Sequence, residues 1–199
     1  MEKLKSFDKL VEQLKKLPSV GTKSAERMAY SILNWDEEDI KDFAIALEDV
    51  KKKIHKCPVC GIFTEHDKCE ICSSHTRDTT KLMVVCNQKD ALAFENAEAF
   101  DGLYHVLGGV LSIQNGVSYE DLAIDSLIER VQEGVIKEII LATEPTIDGE
   151  TTAQFIARLL EKFNVSISRL GYGLPMGGHL DYADSLTLSK SLEGRTKIK

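Results

Sequence analysis

Apolar residues recur at three- and four-residue steps through the start of the chain. Leu4, Phe7, Leu10, Val11, Leu14 and Leu17 form one row, the stripe of an amphipathic helix. Ala25, Met28, Ala29, Ile32 and Leu33 form a second. Between the rows, Pro18 stops the first helix, Gly21 permits a tight hairpin and Thr22 stands where it can cap the second. Helical spacing continues over residues 35–56, with Phe43, Leu47, Val50 and Ile54 expected to face a core. Trp35 reads as a core or interface residue, with stacking on a single strand as the alternative.

Past residue 80 the rhythm changes to short apolar runs separated by helical patterns. Runs at 82–86, 102–107, 138–143 and 165–170 have strand length, and helices are expected over 90–100, 119–133 and 150–163. Strands apolar on both faces and joined by crossover helices predict a covered parallel sheet. Sites in such sheets form beyond the carboxyl ends of the strands.

Between these regions stand Cys57, Cys60, Cys69 and Cys72, spaced C-x2-C-x8-C-x2-C. Each close pair can present two thiolates from one tight turn, so one zinc in a closed, structural S4 site is the expected cofactor, one per chain. Two disulfides, or four unrelated buried thiols, are the alternatives. The chain shows no signal-peptide core and no apolar run of membrane-span length, which predicts a soluble cytoplasmic protein and disfavours disulfides. His55, His66 and His75 surround the knuckle as solvated neighbours. Cys86, the fifth cysteine, reads as a small buried hydrophobe.

Charge refines the picture. The chain has 199 residues and a formal charge of -7, yet residues 1–33 carry seven Lys or Arg against four Asp or Glu. A basic end on an acidic body suggests a confined DNA site and a separate acidic surface. The hairpin run from Leu17 to Ala29 looks like a helix-hairpin-helix module. Gly21 and the outward N–H groups at the helix start can hold a phosphate without reading a base. Lys23 and Arg27, four apart, share one helix face and can neutralise adjacent phosphates. Lys51, Lys52 and Lys53 read as a solvated face that adds little.

Two strand ends carry the remaining chemistry: Val84 to Asp90, and Ala142 to Glu150 with Glu144, Thr146, Asp148, Gly149 and Glu150. Together they resemble a Toprim domain, the module of topoisomerases and bacterial primases, whose catalytic members gather magnesium with an acid after the first strand and D-x-D followed by G-E after a later one. Here Cys86 or Asn87 stands where the first acid belongs and Thr146 replaces the second acid of D-x-D. Thiol and hydroxyl are poor magnesium ligands, so no catalysis is expected. Gly177-Gly178 lacks the lysine-serine signature of a phosphate loop, and no nucleotide site is assigned there.

A helix-hairpin-helix, a four-cysteine knuckle and a degenerate Toprim domain, in that order, closely resemble the RecR family of bacterial recombination mediators. The tail from Gly171 to Asp184, with Tyr172, Pro175, Met176 and His179, and the run from Leu188 to Arg195 match it as well. The resemblance spans essentially the whole chain. It implies an α+β, multi-module protein. The modules are a helix-hairpin-helix domain over 1–54, a four-cysteine zinc knuckle over 55–79, a Toprim sheet over 80–175 and a C-terminal segment over 176–199 suited to oligomer contacts. It further implies a non-enzymatic clamp, dimeric or a tetrameric ring, that binds DNA without sequence preference. With RecO or RecF such a clamp helps to load RecA. Glu144, Asp148 and Glu150 would then offer an acidic rim to a basic partner such as RecO.

Overall fold

The computed structural model describes residues 4–171, 173, 174 and 177–197. Tyr172, Pro175 and Met176 of the tail pattern lie outside the described residues. The chain divides after Ile54 into two compact units.

The first unit contains α1 (Lys5–Leu14), α2 (Thr22–Ile32) and α3 (Glu37–Lys53). Its core is small: Val11, Ala25 and Ala29 are buried, with Phe7, Leu10, Leu14 and Val20 packed around them. The two alanines let α1 and α2 approach closely. The hairpin departs from the expected details. α1 ends at Leu14 and relaxes through i→i−3 bonds, Lys16 N to Gln13 O and Leu17 N to Leu14 O, before Pro18 is reached. The left-handed turn residue is Ser19, at φ 64°, whereas Gly21 has an ordinary φ of −83°. Gly21 itself holds the N-cap position, so Thr22 begins the helix and makes no side-chain cap bond.

α3 is well built as a helix. Asp36 accepts a hydrogen bond from Asp39 N, Glu37, Glu38 and Asp39 occupy the first turn, and Lys51, Lys52 and Lys53 the last, each charge matched to the helix dipole. It nevertheless buries no residue. Phe43, Leu47 and Val50, expected in a core, are 43%, 61% and 59% exposed. Periodicity reveals that a face is apolar, not what covers it, and here the core closes between α1 and α2 without that face. Trp35 packs edge-on against Phe43 at 5.6 Å between ring centroids.

The second unit begins with a two-stranded antiparallel ribbon, β1 (His55–Lys56) and β2 (Phe63–Thr64), followed by the short α4 (Glu70–Ser73). The main sheet follows: β3 (Asp78–Val85), α5 (Gln88–Asn96), β4 (Gly102–Val106), α6 (Ile124–Gln132), β5 (Glu138–Ala142), α7 (Ile147–Leu160) and β6 (Ser166–Arg169). Strand order is β4-β3-β5-β6 and every pairing is parallel, as the apolar runs predict. A last helix, α8 (Ser185–Glu193), is capped by Asp184.

Alternation along the strands divides the core in two. Leu82, Val84, Ile139 and Leu141 pack with Ile124, Leu127, Ala153, Ile156 and Leu160 from α6 and α7. Met83, Val85, Tyr104, Val106 and Ala142 pack on the other side with Ala91 of α5 and with Cys57, Cys60, Ile62 and Cys69. The knuckle is thus part of the sheet's own core. The predicted helix over 119–133 is broken. Ser118 and Asp121 close a capping box around a single 3-10 turn at Tyr119–Asp121, Leu122 is extended, and the helix restarts at Ile124. β3 and β5 stay paired as far as Val85 and Ala142, and because α5 and α7, which follow them, pack on opposite faces, the chain leaves the two carboxyl ends in opposite directions, which creates a crevice there. Among the described residues no helix is long and apolar enough to cross a membrane.

Candidate functional site

Three places carry chemistry. At the first, Cys57 and Cys60 sit on a turn closed by Cys57 N donating to Ile62 O (2.7 Å) and Gly61 N to Cys57 O (2.9 Å). Gly61 has φ +80°, and a side chain there would crowd the Val106 carbonyl oxygen at 3.1 Å. Val106 N in turn donates to Cys60 O at 2.8 Å, stitching the turn to β4. Cys69 and Cys72 come from the start of α4, where Cys69 N donates to Cys57 Sγ and Cys72 N to Cys69 Sγ, both at 3.5 Å.

The four sulfurs lie within 4.8 Å of one another. Tetrahedral zinc with bonds of about 2.3 Å requires S–S edges of about 3.8 Å, so these residues fit one zinc ion. The Cys60 thiol donates to Cys72, which draws Cys72 down to about 6 and raises Cys60. All five cysteines are unbridged, and His55, His66 and His75 are exposed outside the cluster. With four protein ligands the site is closed and structural.

Arg77 braces the knuckle. Its guanidinium pairs with Glu95 and donates to Phe100 O and Gly102 O, while Tyr104 Oη donates to Glu95 at 2.7 Å. Buried on β4, His105 donates from Nε2 to Ala123 O at 2.7 Å. Its Nδ1 has no partner among the described residues, and burial lowers its pKa to about 4.

The second place is the start of α2. Gly21, Lys23 and Arg27 are all exposed. A Cβ added to Gly21 would meet nothing within 4 Å, so neither backbone conformation nor internal packing requires glycine there. Open backbone N–H groups at a helix N-terminus can receive an anion. Among the described residues neither Lys23 nor Arg27 forms an ion pair, and both are available to phosphates.

The third place is the crevice beyond β3 and β5. Cys86 is fully buried, and burial pushes its thiol up to about 11. Asn87 caps α5 in a box with Asp90: Asn87 N donates to Asp90 Oδ2 at 2.8 Å. Thr146 caps α7 by accepting from Gly149 N at 3.0 Å. The positions that depart from the catalytic Toprim pattern therefore serve as core and caps. Glu144 is exposed, receives a long 3.5 Å contact from Asn87 Nδ2, and lies on the crevice with Asp148 in the first turn of α7. Glu150 is engaged by Arg169, whose Nε and Nη2 approach Glu150 Oε1 at 2.9 and 2.8 Å. With the Arg169 guanidinium among them, these groups do not fit a magnesium site.

Arg169 is the functional residue that sequence reading misses. It ends β6 and reaches carbonyls more than twenty residues earlier. The available signal was an arginine closing the last strand of a sheet whose neighbouring loop carries acids. In the tail, none of α8 is buried, and Leu186 and Leu192 lie exposed.

Family comparisons converge on the same division of the chain. Residues 7–51 match the RecR helix-hairpin-helix model, 54–74 the RecR four-cysteine zinc finger domain, 80–171 a Toprim domain and 173–196 the RecR C-terminal model. The four follow one another in the order in which the hairpin, the four sulfurs, the parallel sheet and the last helix occur. Three of them are specific to one family, so the chain belongs to the RecR family of recombination repair proteins.

Proposed function

We propose that this protein is a non-enzymatic DNA clamp for recombination. It binds DNA through its helix-hairpin-helix unit and, with RecO or RecF, promotes loading of RecA. The carrying observation is the start of α2, where Gly21 leaves the backbone open and Lys23 and Arg27 stand exposed without internal ion pairs. Contacts from a helix N-terminus and two cations go to phosphates, so binding is independent of sequence. A net charge of -7 is compatible with this because the cations are concentrated at one site.

Self-association into a dimer or a ring of four is supported by the uncovered apolar side of α3 and the exposed leucines of α8. The absence of catalysis is supported by the burial of Cys86 and the capping role of Thr146 at the two depleted acid positions. Glu144 and Asp148 are then free to offer an acidic docking surface to RecO, with Glu150 behind them in its pair with Arg169.

The decisive experiment is double charge reversal, Lys23→Glu with Arg27→Glu, assayed by fluorescence anisotropy on duplex and single-stranded DNA. Binding should vanish while zinc content and oligomeric state persist. Two phosphates per chain in a four-chain ring give a log–log salt slope of up to about −7 for the unmodified protein. Affinity that survives the reversal puts the DNA site elsewhere. Glu144→Ala in the same assay series should weaken RecO association and leave DNA binding intact.

A further inference from the structure

The crevice beyond β5 gathers oxygens of the kind a divalent cation takes, one of which, Leu141 O, also accepts the ladder bond from Leu170 N at 3.0 Å. The carbonyls of Leu141, Thr143 and Glu144 converge at the strand's carboxyl end, and the Glu150 carboxylate reaches back toward them from the first turn of α7. Hard oxygens gathered in this way suit a divalent cation. Here they converge on a guanidinium. Arg169 donates from Nη1 to Leu141 O at 2.7 Å, from Nη2 to Thr143 O at 2.7 Å and to Glu144 O at 3.4 Å, and from Nε to Glu150 Oε1 at 2.9 Å.

We propose that Arg169 is a built-in cation. It occupies the place of a metal at the carboxyl end of β5, neutralises Glu150, holds the 143–146 loop in position, and leaves the crevice indifferent to magnesium. Three features of the fold place it there. Parallel pairing sets Arg169 beside Leu141 in register, so its planar fork meets the alternate carbonyls of Leu141 and Thr143. Gly149 admits the Glu144 carbonyl where a Cβ would overlap it, and this brings the α7 terminus and Glu150 into range. Thr143 Oγ1 donates to Gly149 O at 2.7 Å and locks that approach.

A guanidinium differs from a metal in ways that matter to function. It is covalently tethered, cannot be chelated and cannot activate water. The crevice is therefore an acidic surface in which Glu144 is exposed, Asp148 half-buried and Glu150 held by Arg169. Arg169 is accordingly a positioning residue for the loop that carries Glu144.

The zinc-loaded full chain provides the test, with Arg169→Gln as the main variant and thermal midpoints measured with and without millimolar magnesium. Binding of Mn2+, followed by its electron spin resonance signal, is the second readout. The unmodified chain should show no magnesium-dependent shift and leave all Mn2+ free. Arg169→Gln should melt at lower temperature, recover part of the loss in magnesium, and bind Mn2+. The double variant Arg169→Gln with Glu150→Gln should lose both responses.

A structural strut alone would lower the midpoint without creating a metal response, so a folded Arg169→Gln that ignores both ions overturns the proposal. So does Mn2+ binding by the unmodified chain that Glu150→Gln removes. If Arg169→Gln folds only in magnesium, that is the expected rescue at its strongest. If it folds in neither condition, Arg169→Lys decides, since it keeps the charge and discards the fork. A folded, magnesium-indifferent lysine variant supports the cation role, and an unfolded one rejects it.

Discussion

Two helices of this protein begin beside a glycine and an acid or base of interest, and they are opposites. At the start of α2, Gly21 faces open space and the neighbouring cations have no internal partners among the described residues. At the start of α7, Gly149 is packed against the Glu144 carbonyl, Thr146 caps the helix and Arg169 clamps Glu150. Both are helix N-termini with the same backbone dipole and unpaired N–H groups. One is left unsatisfied, and its partner must come from outside the chain. The other is satisfied from within. The local motif does not decide whether a terminus binds something. The contacts that surround it do.

The contrast is broken most severely by removing zinc, because the knuckle belongs to the closed region alone. Structural zinc contributes on the order of 10 kcal/mol to folding, and Cys57, Cys60 and Cys69 share a core with Met83, Val85 and Tyr104. Chelation, or Cys69→Ser, should abolish amide protection across residues 55–107 in hydrogen-exchange mass spectrometry. The α1–α2 core contains no cysteine, so protection over residues 5–32 should persist. Metal analysis should return one zinc per chain before chelation.

Gly149→Ala comes next. The added methyl would overlap Glu144 O, a backbone atom that cannot swing aside, and a loss of about 3 kcal/mol or more in a urea titration is expected. A near-neutral result would mean that the α7 terminus is looser than the closed description allows.

Acid sharpens the comparison further, since a closed interior refuses protons. His105 is buried against Ala123 O with Arg130 nearby, and its pKa is lowered to about 4 by burial. Between about pH 6.5 and pH 4 the unfolded chain binds a proton that the folded chain does not, so stability falls as pH drops through that window. The loss reaches roughly 3 kcal/mol at its lower end. Denaturation curves for the unmodified chain and His105→Gln, at equal zinc, should diverge in slope across this range, with the variant flatter. Parallel slopes would mean that His105 titrates normally.

The smallest effect on stability belongs to Gly21→Ala. With an ordinary φ and nothing within 4 Å of the new methyl, the change should remain within about 1 kcal/mol. DNA affinity should nevertheless fall severalfold, because the methyl stands where a phosphate must approach the backbone. Unaltered affinity would leave Lys23 and Arg27 as the whole of the site.

Features set by residues close together in the chain are legible in the sequence alone. Cys57 and Cys60, and Cys69 and Cys72, declare a metal site because each pair is closed by a turn of four residues. The strands at 82–85, 102–106 and 138–142 declare themselves because strands covered on both faces are apolar at most positions, His105 and Glu138 being the polar ones here. Even the break before α6 has a local signature, the capping box from Ser118 to Asp121.

Tertiary structure alone decided the rest. Phe43, Leu47 and Val50 have the spacing of core residues and the exposure of surface ones, because a stripe encodes its own hydrophobicity and not the presence of a neighbour. Gly21 and Gly149 are the same letter, and only the surrounding atoms separate a glycine that faces open space from one required by a carbonyl of its own chain. Arg169 gains its role from Leu141, Thr143 and Glu150, which lie 28, 26 and 19 residues away. Composition and short-range pattern fix which groups the chain owns and how each segment curls. Which charges meet, and which remain for a partner, depends on strand register and helix approach, and these exist only once distant segments have packed.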